Sequence, residues 1–301
     1  MTLAILTPSY RPDLEDFKRL HRSVLKHTDT DVVHHVIVPR SDRELFADCK
    51  SDRLKLWSQA DFLPSRFILT DGLANLARRW SFLESIASVN AINAHRPWPP
   101  IRGWILQQMV KLEAASRIDA DVIVLIDSDV VLIRDIAQST FVRDGSVRLY
   151  RNPGGIIPEM NRHTLWEDTA ARLLGTRVAE DHADHIAALN TWDPVAVSAC
   201  LARVENVTGS NWASAVGSEL HFSEDMLYGS FVHELGTPAQ NAFVSDRTLC
   251  HSHWEPTPLS MVDAVRFIDE LPEDDVAVHV QSNSRTPEDL QDFIFRAVGA
   301  A

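Results

Sequence analysis

The chain has 301 residues, 45% of them hydrophobic, enough to bury the core of one large α/β domain or two small ones. A formal net charge of −13 and a pI of about 5.4 exclude a general binder of nucleic acid or anionic membrane, while leaving room for a locally basic phosphate site. Cys49, Cys200 and Cys250 are too few and too scattered for a disulfide framework and fit a reducing cytoplasm. The opening "MTLAILTPSY" lacks the basic region of a signal peptide, and no apolar run approaches the roughly 20 residues that span a bilayer.

In chain order, "TLAILT" predicts a strand entering the turn "PSYRPD", where Asp13 is placed to cap a helix with the apolar stripe Phe17, Leu20, Val24, Leu25. "DVVHHVIVP" and "SRFILTDG" predict two more strands, the second ending at Asp71 and Gly72. A helical stretch over about 75–94 is expected to break at the proline cluster "HRPWPP". "GWILQQMVKLEAASRI" predicts the next helix, which leads into the run "VIVLIDSDVV". This alternation implies an α/β fold with a mostly parallel sheet flanked by helices. Its turns after Thr7, Val38, Thr70 and Ile126 should converge at the carboxyl ends of the strands, where such sheets bind ligands. Beyond residue 135 the pattern loosens into "SVRLY", the loop "NPGG" and shorter helices carrying Trp and His. No repeat or linker divides the chain, so a single domain is expected, with residues 1–135 binding a standard ligand and 136–301 adapted to a particular one.

The run at 122–131 carries the sharpest chemical signal. Val122 to Ile126 is β-branched except for Leu125 and reads as a strand buried on both faces. If the extended geometry persists, Asp127 and Asp129 point to one spot and invite a hard cation such as Mg²⁺ or Mn²⁺, with a diphosphate-bearing ligand as its complement. If a turn begins there, the aspartates are turn residues. In the preceding helix Gln107, Gln108 and Lys111 share one side, either as a solvated face or reaching into the ligand site. Glu224 and Asp225 follow Ser223 at a helix start; a capped N-terminus explains both acids, and a general base facing an acceptor hydroxyl is the alternative. His251 and His253 in "CHSHW" are either structural or complete a metal shell begun by the aspartates, and His182 with His185 reads as the solvated face of a helix-like stretch.

The blocks "ILTPSYRPDLEDF", "HVIVPRSDRELF", "GWILQQMVKLEAAS", "VIVLIDSDVVLIR", "TWDPVAVSACLARVE", "NWASAV" and "FSEDMLYGSFV", in this order over residues 5 to about 232, resemble a bacterial family of glycosyltransferase-like proteins of the GT-A fold with an acidic D-x-D motif. The resemblance implies a metal-dependent transfer of sugar from a nucleotide-sugar, a UDP-sugar foremost, to a small-molecule or glycan acceptor. It further implies that Thr7, Pro8, Ser9 and Tyr10 form a nucleotide-binding turn, that Asp71 contacts base or ribose, and that Gln107, Gln108, Lys111, Asp127 and Ser128 meet the nucleotide-sugar. Asp127 and Asp129, with His251 or His253, would hold Mn²⁺ or Mg²⁺, Glu224 or Asp225 would act as base in an inverting reaction, and Trp192 and Trp212 would shape an acceptor pocket. Where relatives carry an aromatic residue this chain has Asp225, which leaves open which acid acts. Two other readings compete: a phosphatase of the haloacid-dehalogenase type, through the D-x-D-x-V pattern of Asp127, Asp129 and Val131, and a binding protein that has lost turnover. The first normally ends the first strand of its domain, whereas here three strand candidates come before it.

Overall fold

The computed structural model describes residues 1–70, 89–237, 240 and 242–299. Strand β1 (Leu3–Pro8), helix α1 (Leu14–His27), β2 (Val33–Val38), the short α2 (Arg43–Ala47) and β3 (Leu54–Ser58) build the first half of the sheet. Next come β4 (Phe67–Leu69), β5 (Val89–Asn93), β6 (Arg96–Arg102), α3 (Gly103–Arg117), β7 (Val122–Ile126) and β8 (Val130–Leu132). The central sheet has the order β11-β7-β1-β2-β3, parallel except for β11 (Leu189–Trp192). The chain is thus a mixed α/β domain with a mostly parallel central sheet flanked by helices.

Two expectations about this sheet need correction. The strand that follows β2 in it is β3, whose mixed "LKLWS" gave no clear signal; the predicted strand in "SRFILTDG" became β4, in a separate antiparallel sheet β4-β5-β6. The turn expected after Thr70 begins at residue 71 and lies outside the described residues. Residues 71–88, which carry most of the helix expected over 75–94, lie outside the described residues, and 89–93 form β5 rather than helix. The prolines of "HRPWPP" sit in β6 at the edge of its small sheet, where a missing backbone donor breaks no central ladder.

β7 shows why the site lies where it does. Ile123 and Leu125 face one apolar cluster together with Ile105, Leu106, Met109 and Leu112 of α3, whereas Val122, Val124 and Ile126 face another with Leu20 and Val24 of α1. Burial of both faces stabilises the strand by about 1.5–3 kcal/mol per large aliphatic side chain. The next residue on the α3 side is Asp127. Strand order reverses between β1 and β7, so their carboxyl ends lie at the switch point of the sheet, the place where open α/β sheets bind ligands.

The second half adds β10 (Ser146–Tyr150), α5 (Asn161–Leu174), α6 (Pro194–Thr208), α7 (Trp212–Val216) and α8 (Glu224–Leu235), with α4 (Gln138–Phe141) preceding β9 (Val142–Arg143). β12 (Ala242–Ser245) pairs with β10, and β13 (Cys250–His253), β14 (Ala277–Val280) and β8 form a further sheet covered by α9 (Met261–Asp269) and α10 (Glu288–Ala297). The three cysteines are free thiols. No helix among the described residues is long and apolar enough to cross a membrane.

Candidate active site at the carboxyl ends of β1 and β7

The turn after β1 is held rigidly. The Thr7 hydroxyl donates to Ile126 O at 2.8 Å and lies 2.9 Å from His34 Nε2, and Ser9 N–H donates to Ile37 O at 2.9 Å. Ser128 Oγ donates to Ser9 Oγ at 2.9 Å, tying this turn to the acidic one. Thr7, Pro8, Ser9 and Ser128 are buried and support the turn from within, and Tyr10 is the residue of this group that reaches solvent. Asp71 lies outside the described residues.

The extended geometry does not persist beyond Ile126: Val130 N–H returns to Asp127 O at 3.2 Å, and a tight turn separates β7 from β8. The two aspartates consequently look different ways. Asp127 meets Lys111 Nζ at 3.0 Å, and the same ammonium lies 3.0 Å from Glu224 Oε1. Asp129 turns toward β14: its Oδ2 accepts from Ser282 N–H at 2.9 Å and its Oδ1 lies 3.5 Å from His279 Nε2. Burial works against the Asp129 anion, but His279 and the Ser282 amide outweigh it and keep the carboxyl below its ordinary range.

Lys111 is the hub. Burial would lower its pKa, yet Asp127, Glu224 and Asp225 together hold it above the ordinary lysine value. Gln108 and Lys111 are both buried, which rules out the solvated-face reading of this helix side, and Gln108 Oε1 accepts from Glu224 N–H at 3.2 Å. Gln107 sits half-buried one turn before Lys111. At the start of α8 the Ser223 hydroxyl accepts from Met226 N–H at 3.3 Å, so the cap forms as expected. A cap alone does not explain why Glu224 is buried against an ammonium. Asp225 is pushed well above the ordinary aspartate range, by burial first and then by Glu224, with Lys111 and Asn190 only partly offsetting this. Asp13 occupies the N-cap position of α1 but makes no capping hydrogen bond; burial and the nearby Asp129, Asp16 and Asp127 raise its pKa to about 7.

Several expected site residues fall elsewhere. His251 Nε2 hydrogen-bonds Phe267 O at 2.9 Å with its ring against Phe267, and His253 Nε2 bonds Thr257 O at 3.0 Å. β13 is the outer strand of its sheet, while β14 pairs with β8 directly behind Asp129, so the histidine that meets the acidic turn is His279. A buried histidine within "VAVHV" was the available signal. Trp192 stacks on Tyr228 at 5.1 Å and Trp212 packs in the same large core, which makes both of them core residues rather than walls of an open acceptor pocket. His185 is buried, bonding Tyr150 O, and the segment around it is loop rather than helix.

Among the described residues no group of three or more His, Cys, Asp and Glu side chains stands ready to hold a metal ion. The donor chemistry of the acidic turn nevertheless suits a hard cation. Asp127 keeps 45% of its side chain exposed, and burial, then the neighbouring Asp129, Asp16 and Asp127, raises the Asp13 carboxyl to about 7, a mark of the negative charge gathered there.

No curated protein matches the sequence. Solved structures with a similar fold include apo mouse xyloside xylosyltransferase 1, at 13% identity over 95% of this chain and 100% of that one, TM-score 0.48. They also include the galactosyltransferase LgtC in complex with donor and acceptor sugar analogues, at 12% identity, 99% and 95% coverage, TM-score 0.45. The bifunctional glycosyltransferase WbbM in its apo form aligns at 10% identity over 99% of this chain and 49% of that one, TM-score 0.46. The sequence itself matches one family model along residues 2–287, from the first strand through the acidic turn to the segment that follows β14, and the chain belongs to that family, the family of unknown function DUF6492.

Proposed function

We propose that this chain is a GT-A-type glycosyltransferase that moves a sugar from a nucleotide-sugar, a UDP-sugar foremost, to an acceptor hydroxyl with inversion at the anomeric carbon. The observation that carries the reading is the Lys111 ammonium, 3.0 Å from both Asp127 at the switch point of the sheet and Glu224 at the start of α8. It joins the place where an open α/β sheet binds a nucleotide to a carboxylate available for the acceptor proton. In this reading Tyr10 and the turn after β1 receive the nucleotide, and Lys111 with Gln107 faces phosphate or sugar oxygens. Asp127 and Asp129, with His279 orienting Asp129, are the residues that would hold a divalent cation, which requires one of the two carboxylates to turn from its present partner, Lys111 for Asp127 or Ser282 N–H for Asp129. That cation, when bound, supplies charge stabilisation for the departing diphosphate. Glu224, salt-bridged to Lys111, takes the acceptor proton, and Asp225 lies beside it with its carboxyl pushed upward by burial and by Glu224. The phosphatase reading needs the acidic strand to open its domain, and β7 is the fourth strand of the central sheet in chain order.

The test is a calorimetric and turnover screen of UDP-, GDP- and dTDP-sugars with and without Mn²⁺, on the parent chain and on Asp129→Asn. The expected result is metal-dependent turnover with one donor class, abolished in Asp129→Asn while the fold is kept. Full activity in the variant removes the metal assignment, and failure of every donor to bind removes the transferase reading.

A further inference from the structure

The face of α3 that carries Gln108 and Lys111 continues one turn back to Trp104, since 104, 108 and 111 follow the i, i+4, i+7 spacing. Trp104 is about 10 Å from Lys111 along the helix axis at 1.5 Å per residue. Unlike the other members of this face it is open, with 47% of its surface exposed. It is also fixed in place. The indole N–H donates to Phe222 O at 3.0 Å, two residues before Glu224. The ring stacks on Trp166 of α5, with centroids 5.9 Å apart and planes 11° from parallel. The Arg162 guanidinium lies 5.7 Å from the Trp104 ring and 4.8 Å from the Trp166 ring, and His163 tilts against Trp166 at 5.0 Å.

An indole so anchored keeps a large apolar surface exposed to water although its donor is already satisfied. A rigid aromatic plane of this kind loses little entropy on binding. The neighbours decide what it is suited to take. The Arg162 guanidinium lies over the two stacked indoles and brings hydrogen-bond donors beside them, Gln107 lies one turn along the helix, and a carboxylate follows two residues beyond the carbonyl that holds the ring. An apolar plane with a polar rim matches a pyranose ring, whose axial C–H bonds form an apolar face and whose hydroxyls radiate from its edge. Position separates donor from acceptor: Asp127 lies at the Lys111 end of the helix face and Trp104 at the opposite end, with Glu224 between them.

We propose that Trp104, backed by Trp166 and Arg162, is the acceptor platform, and that the acceptor is a carbohydrate whose sugar ring stacks on the indole beside Glu224. This rests on the transferase reading for the word acceptor, but the binding of a sugar ring to Trp104 can be tested without a donor. Binding to a glycan array, followed by calorimetry of the best binders and of simple methyl glycosides, is measured on the parent, Trp104→Ala, Trp104→Phe and Phe293→Ala. Phe293 is an exposed aromatic residue on the C-terminal helix and serves as the control. At least one glycan should bind the parent. Its affinity should fall at least about tenfold in Trp104→Ala, the loss expected for truncating an aromatic anchor. Trp104→Phe should retain most of the affinity, which guards against a packing defect in the alanine variant, and Phe293→Ala should match the parent. UDP-sugar binding should be unchanged in Trp104→Ala, while its melting temperature falls through loss of the Phe222 hydrogen bond and the Trp166 stacking, a loss that Trp104→Phe shares in part. Equal glycan affinity in the parent and Trp104→Ala overturns the platform, as does nucleotide-sugar binding with no glycan bound anywhere on the array. Glycan binding through Trp104 in a protein that binds no nucleotide-sugar sustains the platform and overturns the transferase reading instead.

Discussion

Two buried polar clusters meet at the end of β1, and they solve burial in opposite ways. At the crevice Lys111, Asp127, Glu224 and Asp225 gather one ammonium and three carboxyl groups, with Asp13 and Asp129 close by. Behind the same strand His34 lies wholly buried between Thr7 Oγ1 at 2.9 Å and His21 Nδ1 at 3.0 Å, under the ring of Phe17. The histidine cluster stays neutral: burial first, then neighbouring positive charge, lowers His21 to about 4 and His34 well below its ordinary value. A cluster that exists only to support a strand can shed its charge. One that holds a buried ammonium among carboxylates, at a cost of several kcal/mol of desolvation per ion, is the candidate for a functional role.

The contrast breaks most sharply at Lys111. Lys111→Met leaves Glu224 and Asp127 without their buried cation and should cost about 3–5 kcal/mol of stability, read as a shift of the urea midpoint. A cost below 1 kcal/mol, on the scale of an exposed ion pair, would mean that the charged cluster is no more demanding than the neutral one. Glu224→Gln keeps the shape and leaves Lys111 paired with Asp127, so a stability loss of about 1.5–3 kcal/mol, the scale of a hydrogen bond to a charged group, should accompany a fall in turnover of about 10² or more with donor binding near the parent. Asp225→Asn should be milder. The product anomer, read by NMR, should be inverted relative to the donor; a retained configuration would defeat the base assignment whatever the variants show.

The neutral cluster makes the third prediction through pH. With folded pKa values near 4 against an ordinary 6.5, His21 is neutral in the native state and protonated in the unfolded chain between those limits. The unfolded state then binds more protons, so stability is complete above pH 6.5 and declines as the pH falls toward 4. The slope is about 1.4 kcal/mol per pH unit for this histidine. Chemical denaturation at pH 7 and pH 5 checks it, and His21→Asn should flatten the slope. The smallest effect is expected at His251. His251→Ala loses one hydrogen bond to Phe267 O, worth about 0.5–1.5 kcal/mol, and should leave Mn²⁺ dependence intact, whereas His279→Ala should weaken it. Equal metal dependence in the two variants would remove His279 from the acidic turn's support.

By itself the sequence determined what local periodicity and local chemistry can encode. The five apolar residues of β7, the helical stripe of α3 with Gln108 and Lys111 on one side, and the Ser223 cap all form where those patterns place them. It also placed Asp127 at a sheet edge, because a strand buried on both faces ends where water begins. Only the tertiary structure decided which way each acid turned. Asp127 and Asp129 are two residues apart in the chain, yet the turn at Ser128 sends one to α3 and the other to β14. Asp127 meets Lys111 of the preceding helix, but the contacts that complete its cluster and fix Asp129 join residues more than a hundred positions apart, as Glu224 N–H to Gln108 and Ser282 N–H to Asp129 do. No spacing rule reaches that far. The same limit put β3 rather than β4 in the central sheet, brought His279 in place of His251 and His253 to the acidic turn, and buried Trp192 and Trp212 while leaving Trp104 open. Residue type tells that an aromatic or a histidine must pack or bind, and only the neighbours delivered by the fold tell which.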